Sequence, residues 1–239
     1  MLSYPSTAKP TFYLWMSNNV SVIKLIIFDA GGVLYIGNQK IIDKAVERFL
    51  EKHGVYDFDR NDRVWSRIEK LVSVGKISLR EAHERWLEGV GLRKDLLSEW
   101  LDVDRKEIWG RFKRTPRINE LLAELKKNYA LAVLSDTLGS KSEKIEKMEI
   151  VGVDHKLFDE IFTSHDLGVC KPSRKAFNAV LKRFDVEPRE AVFVSDASDE
   201  LEGAKRIGLV AIGFNSNGGD FKVKKLDEIQ NILQNPSLI

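Results

Sequence analysis

Several residue types are scarce in this chain, and each scarcity removes a class of function. The sequence of 239 residues has one cysteine, Cys170, so an intramolecular disulfide and a cysteine-rich metal site are both excluded. A lone thiol points to a reducing, cytoplasmic compartment. The four histidines, His53, His83, His155 and His165, are scattered without metal-ligand spacing and read as surface or packing residues. No apolar run approaches the ~18 residues of a membrane span. An excess of one charge is also missing: 38 basic and 36 acidic residues leave a net charge of +2. Nucleic-acid binding needs a basic excess gathered on one face, and there is none to gather. Residues 1–20 lack the basic start and continuous apolar segment of a signal peptide. They are expected to form an extension outside the core, with Met16 as an alternative start.

What the chain does contain is a parallel-sheet pattern. In "KLIIFDAGGVLYIG", residues 24–37, an apolar run leads into Asp29 and then two glycines. A short apolar run bounded by glycine predicts a strand buried on both faces. Further runs at Ala130–Ser135, Glu160–Thr163, Ala191–Ser195 and Val210–Phe214 predict four more strands. Helical patterns separate them. In "SRKAFNAVLKRFDV", Ala176, Phe177, Val180, Leu181 and Phe184 fall on one stripe. Pro172, just ahead of it, is expected in the first helical turn. Alternating strands and helices predict an α/β, Rossmann-like parallel sheet with helices on both faces.

About ninety residues separate the first two strands, far more than a crossover requires. They read as amphipathic helices, "KIIDKAVERFLEKHG", "RNDRVWSRIEKLVSVG", "SLREAHERWLEGVG" and "RKDLLSEWLDVDRKEIWGRF", punctuated by Gly54, Gly75 and Gly91. The expected organisation is a core of residues 21–37 and 113–239 and an inserted helical-bundle cap, 38–112. Trp65, Trp86, Trp100 and Trp109 fall in this insertion. They are expected in its core, and any that faces the sheet would shape a pocket.

The strand ends carry the chemistry. Asp29 follows the first strand, Ser135 and Asp136 end the second, Lys171 stands ahead of Pro172, and Asp196 follows the fourth with Asp199 and Glu200 beyond. Open α/β sheets bind ligands at these carboxyl ends. Two carboxylates with oxygen ligands suit Mg²⁺, and a serine and a lysine suit phosphate oxygens. The expected partner is a small phosphorylated molecule rather than nucleic acid or membrane, bound by a monomer or homodimer. Cys170 has no histidine partner and reads as a bystander; His165, after the third strand, is expected nearer the site than the other histidines.

Four segments in order, "IIFDAGGVL", "LAVLSDT", "GVCKP" and "AVFVSDASDELEGAKRIG", resemble the motifs of the haloacid dehalogenase superfamily. The resemblance covers residues 24 to about 215, with the insertion where the family's type-one cap belongs. It implies that Asp29 is the nucleophile of an Mg²⁺-dependent phosphatase and forms an aspartyl-phosphate. Mg²⁺ would be held by Asp29, the Gly31 carbonyl and Asp196, with Glu200, or Asp199 beside it, on metal-bound water. Lys171 and Ser135, with Asp136 adjacent, would bind the phosphoryl group.

Two positions depart from the family pattern. Gly31 stands where most family phosphatases carry a proton-donating Asp, which leaves Tyr35 or a side chain of the insertion as stand-ins. The spacing from Asp196 to Gly203 and Ala204 is one residue shorter than in many of these phosphatases. A metal-independent 2-haloacid dehalogenase is the first alternative, disfavoured because Asp196 beside Asp29 demands a cation. A non-catalytic binding protein of the same fold is the second, disfavoured because the other reactive side chains all remain.

Overall fold

The computed structural model describes residues 22–234; the expected extension over residues 1–20 lies outside them. The chain enters through β1 (Leu25–Phe28), every residue of which is buried. It leaves the sheet through β2 (Tyr35–Ile36) and returns through β3 (Lys113–Arg114), which pairs with β2 antiparallel. This pair of two-residue strands is too short to register as a sequence pattern, yet it ties together both ends of the insertion.

Between them lie α1 (Gln39–Lys52), α2 (Phe58–Val72), α3 (Leu79–Val90) and α4 (Leu97–Val103). Asn38, Asp57 and Ser78 cap the first three by accepting backbone N–H groups of Ile41, Arg60 and Glu81. Gly91 ends α3 with φ of 91°, a conformation that favours glycine. These helices enclose their own core of Phe49, Leu50, Val72, Leu87 and neighbours. The fourth segment is not the single helix its pattern suggests. It opens with a 3₁₀ turn, runs through α4, widens into a π turn at Asp104–Ile108 and tightens again at Trp109–Arg111. The step from Trp100 to Ile108, both buried, overshoots two α-helical turns, and the wide turn takes up the difference.

The remaining elements alternate: α5 (Ile118–Leu125), β4 (Ala130–Ser135), α6 (Lys141–Val151), β5 (Glu160–Thr163), α7 (Ser164–Leu167), α8 (Arg174–Phe184), β6 (Ala191–Ser195), α9 (Ser198–Arg206), β7 (Val210–Phe214), β8 (Phe221–Val223) and α10 (Glu228–Leu233). The sheet order is β5-β4-β1-β6-β7-β8, all parallel. Four of the five strands expected from the sequence have these bounds, and the first, expected over Lys24–Ala30, is shorter at Leu25–Phe28. β8, a short edge strand with exposed Lys222, was not foreseen.

Alternate residues of each strand serve opposite faces. Ile26, Phe28, Leu131 and Val133 pack with α5 and α6 on one side; Leu25, Ile27, Ala132 and Leu134 pack with α8 and α9 on the other. Two hydrophobic layers clamp the sheet, so the strand ends are fixed to within a small fraction of a residue spacing. Chain order reverses beside β1, which has β4 on one side and β6 on the other, and a crevice opens there. The insertion leans over this end. His165 Nδ1 bonds the Val72 carbonyl at 2.8 Å, Arg105 pairs with Glu146 at 2.9 Å, and Lys147 Nζ lies 4.8 Å from the Trp109 ring centroid. Among the described residues no helix is long and apolar enough to cross a membrane.

Candidate active site

Asp29 leaves β1 with its N–H bonded to the Val194 carbonyl at 2.9 Å, so the last ladder bond of the sheet aims its side chain into the crevice. Lys171 Nζ contacts Asp29 Oδ1 and lies 3.0 Å from Glu200 Oε2. The lysine side chain is only 1% exposed. An ammonium so deeply buried is tolerated only because carboxylates surround it. Burial alone would lower its pKa; Asp29, Glu200 and Asp136 together more than reverse this and raise it. The Phe193 ring, 5.6 Å away, closes its remaining side. Lys171 is thus a fixed cation directly beside Asp29.

The loop that carries Lys171 is itself held. Asp136 Oδ1 accepts the Lys171 backbone N–H at 3.1 Å. Pro172 does not occupy the first helical turn, as its sequence context suggests. Ser173 caps α8, and Pro172 sits one residue outside it, its ring against Gly203 of α9, where a Cβ would come within 2.4 Å. That close approach explains why glycine stands at 203.

Glu200, expected near metal-bound water, also bonds two side chains through Oε2. Ser195 Oγ donates to Glu200 Oε2 at 2.8 Å, and Lys171 takes the same oxygen. Burial, the largest influence, raises the Glu200 pKa against the opposing pull of Lys171. Asp136, expected beside phosphate, bonds the lysine loop. Its carboxyl is raised first by burial, with Lys171 opposing. Ser135 ends β4 buried, its hydroxyl donating to the Asp136 carbonyl at 3.3 Å.

Asp196 lies across the Ala30–Gly32 loop. A Cβ on Gly32, whose φ is 75°, would meet Asp196 Oδ2 at 2.0 Å, so glycine lets the backbone rest on this carboxylate. Burial and then the Asp29 charge raise the Asp196 pKa, and among the described residues it forms no salt bridge. Two facing carboxylates and loop backbone oxygens make a hard-oxygen donor set that fits Mg²⁺. Among the described residues no three His, Cys, Asp or Glu side chains are grouped so that they could hold a metal ion by themselves. Such an ion would therefore complete its shell with backbone, water and substrate oxygens, as Mg²⁺ commonly does. Gly31, in contrast, faces open space, with nothing within 4 Å of a built Cβ.

Asp29, Gly31, Ser135, Asp136, Lys171 and Glu200, though not Asp196, line one cavity of about 820 Å³ that runs into the insertion, where His83, Trp86 and Trp100 line it. Sequence reasoning missed two of its residues, Lys144 and His83. Lys144 donates from Nζ to Tyr35 Oη at 2.9 Å, and burial lowers its pKa to about 8. Its signal was a lysine in register with buried Met148 and Val151 on α6. His83 is buried at the cavity wall rather than on the surface. His165 serves the contact with α2 and does not line the cavity.

Residues 23–208 match the haloacid dehalogenase-like hydrolase family. The chain is similar to the sesquiterpene phosphatase astK of Aspergillus oryzae, 26% identical over 193 residues that span 80% of this chain and 90% of that one. It is also similar to the glyceraldehyde 3-phosphate phosphatase of Pyrococcus furiosus, 32% identical over 80% of each chain. Its fold matches a crystal structure of 2-haloacid dehalogenase from Pseudomonas syringae with a TM-score of 0.71 at 21% identity, over 88% of this chain and 98% of that one. With Asp29, Ser135, Lys171 and Asp196 gathered at the strand ends, and with the match running through all of them, the chain belongs to the haloacid dehalogenase-like hydrolase family.

Proposed function

We propose that this hydrolase is an Mg²⁺-dependent phosphatase that cleaves the phosphate monoester of a small metabolite through an aspartyl-phosphate on Asp29. The observation that carries this reading is the buried Lys171 ammonium locked against Asp29, with a second carboxylate, Asp196, across the Gly31–Gly32 loop. The two relatives described above, both named as phosphatases, support it. In this reading residues 38–112 form a cap over a core of residues 21–37 and 113–239.

A carboxylate attacks phosphorus without a general base. Lys171 occupies Asp29 Oδ1, which leaves the other oxygen to form the new O–P bond while the bond to the leaving alcohol breaks. Lys171 and the Ser135 hydroxyl then face the phosphoryl oxygens. Mg²⁺ bound by Asp29, Asp196 and the Gly31 carbonyl would neutralise charge between nucleophile and phosphate. Water hydrolyses the acyl phosphate and frees Asp29. Glu200 and Asp136 act through Lys171, one holding its ammonium and the other its backbone.

Gly31 has no proton for the departing alcohol. Tyr35 lines the same cavity; its oxygen accepts from Lys144, which leaves its own hydrogen free to be donated. Burial, reinforced by Asp29, raises the Tyr35 pKa, so the hydroxyl keeps that hydrogen at neutral pH. The test is phosphate release from p-nitrophenyl phosphate with Mg²⁺ and with EDTA, for the wild type and Asp29→Asn. Turnover that needs both Mg²⁺ and Asp29 is expected. Turnover untouched by either change would overturn the proposal, and chloride release from 2-chloropropionate in EDTA would assign the dehalogenase instead.

A further inference from the structure

The two lysines at the sheet end of the cavity are buried in different company. Lys171 is held between carboxylates. Lys144, on α6, is 2% exposed and forms no salt bridge among the described residues. Its Nζ donates to Tyr35 Oη at 2.9 Å. The same nitrogen lies 5.6 Å from the Tyr35 ring centroid, which places it off the end of the hydroxyl rather than over the ring face. An ammonium withdrawn from water without a counter-ion is costly. Kept at that cost in a cleft, it is a candidate for chemistry. Tyr35 is fixed beside the catalytic loop. Its backbone bridges to Gly31, its carbonyl accepts the Gly32 N–H at 2.9 Å, and Trp109 meets its ring edge-on with centroids 5.7 Å apart.

Tyr35 thus adjoins the position where the loop has no side chain, and Lys144 stands at the end of its hydroxyl. Both line the cavity with Asp29, Ser135 and Lys171, and the charges of Asp29 and Lys171 act on both. An ammonium only donates, so the hydroxyl hydrogen of Tyr35 points away from Lys144. A tyrosine alone is a poor acid for a departing alkoxide, because donation would leave a buried phenolate. A proton that arrives from Lys144 as the hydroxyl hydrogen departs prevents that charge. Burial, the largest influence, brings the Lys144 pKa down to about 8 against the attraction of Asp29, so it yields a proton more readily than an exposed lysine. Lys171 is unsuited to this part, since its carboxylates raise its pKa.

We infer that Lys144 and Tyr35 form a proton relay, in which Tyr35 gives its hydroxyl hydrogen to the departing alcohol and takes one from Lys144 Nζ. The relay deepens the phosphatase reading and rests on it. As an Asp29 oxygen bonds phosphorus, the P–O bond to the alcohol breaks with its electron pair on the alcohol oxygen, which takes the Tyr35 hydrogen. Lys144 is left as a neutral amine. When water attacks the acyl phosphate, its proton passes to Tyr35 Oη while the Tyr35 hydrogen returns to Lys144, and the starting state is restored.

The test compares kcat/KM, with Mg²⁺, for p-nitrophenyl phosphate, whose leaving group needs no proton, and 2-phenylethyl phosphate, whose alkoxide does. Lys144→Met removes a buried charge that has no counter-ion and should fold normally, and Tyr35→Phe keeps the ring. Each should lower kcat/KM for the phenylethyl ester at least about tenfold more than for the nitrophenyl ester. The two together should cost no more than Tyr35→Phe alone, as expected of groups acting in series. Gly31→Asp supplies a stronger acid than a tyrosine hydroxyl, and in that background the excess loss should disappear. A merely structural role would lower both esters alike, and its cost would persist beside Gly31→Asp; either result overturns the relay. Wild-type hydrolysis of p-nitrophenyl phosphate reports on the phosphatase reading separately, so that reading can stand while the relay falls. If neither ester is hydrolysed, both fall.

Discussion

The two ends of the cavity handle buried polarity in opposite ways. At the sheet end the charges around Lys171 are paired: Lys171 meets Asp29 and Glu200, Glu200 meets Ser195, and Asp136 holds the lysine loop. In the insertion, aromatic rings dominate and two polar atoms are left without partners. A closed network holds reacting groups rigidly in place, because each member restrains the next in a medium of low dielectric constant. The difference separates a charged network that restrains itself from an aromatic core that carries two unpaired polar atoms.

The comparison breaks most visibly at Asp29. Asp29→Asn should reduce kcat/KM for p-nitrophenyl phosphate by at least about 10⁴-fold, the scale of removing a covalent nucleophile. A residual rate within tenfold of the wild type would refute Asp29 as the nucleophile.

The insertion gives the next largest effect, on stability rather than rate. His83 titrates near 3 when folded and near 6.5 when free. Between these values the unfolded chain binds a proton that the folded chain refuses, so stability falls as pH drops through that window and is intact above it. Denaturation at pH 7.5 and 4.5 should show a loss of about 2–3 kcal/mol from this group, at ~1.4 kcal/mol per pH unit. His83→Phe should flatten that slope and be no less stable at pH 7.5, since it deletes an unpaired polar group. A slope unchanged by the substitution would mean that His83 is not the group responsible.

Gly31→Asp sharpens the catalytic side. Nothing stands within 4 Å of a Cβ there, so the backbone neighbourhood admits a side chain at this position. Turnover of alkyl phosphates should rise by about 10²-fold, the lower range for a general acid, and turnover of p-nitrophenyl phosphate much less. Equal gains on both esters would refute a missing proton donor. The smallest effect is expected at Glu200→Gln, which keeps the shape but not the charge beside Lys171. A drop of about tenfold in kcat, with a shift in the pH profile, would mark a positioning role. Loss of Mg²⁺ affinity without that shift would return Glu200 to the metal.

Legibility followed the same divide. β1, β4, β6 and β7 were readable because each is an almost wholly apolar run, and β5, Glu160–Thr163, is a shorter run with two polar residues. Asp29, Ser135 and Asp196 were readable because each is tied to the end of such a run, whereas Lys171, separated from β5 by α7, was readable from the GVCKP segment. Pro172 misled because a proline before a helical stripe suits several positions, and only contact with Gly203 places it outside the helix. Glu200 was located correctly in sequence but its partners were not, since Ser195 is adjacent only once β6 and α9 fold back on each other.

The sequence by itself therefore determined the layered sheet, the large insertion after the first strand and which side chains reach the carboxyl edge. These follow from local periodicity and from residues fixed by the backbone that carries them. Only the tertiary structure decided which charges are paired, that Lys144 is buried against Tyr35, and that His83 Nδ1 and Trp100 Nε1 are buried without partners among the described residues. Such facts depend on contacts between residues far apart in the chain, such as Tyr35 with Lys144 and Asp29 with Lys171. A helical stripe shows which face is buried, but whether that face meets a neighbour or an empty chamber depends on the elements packed around it.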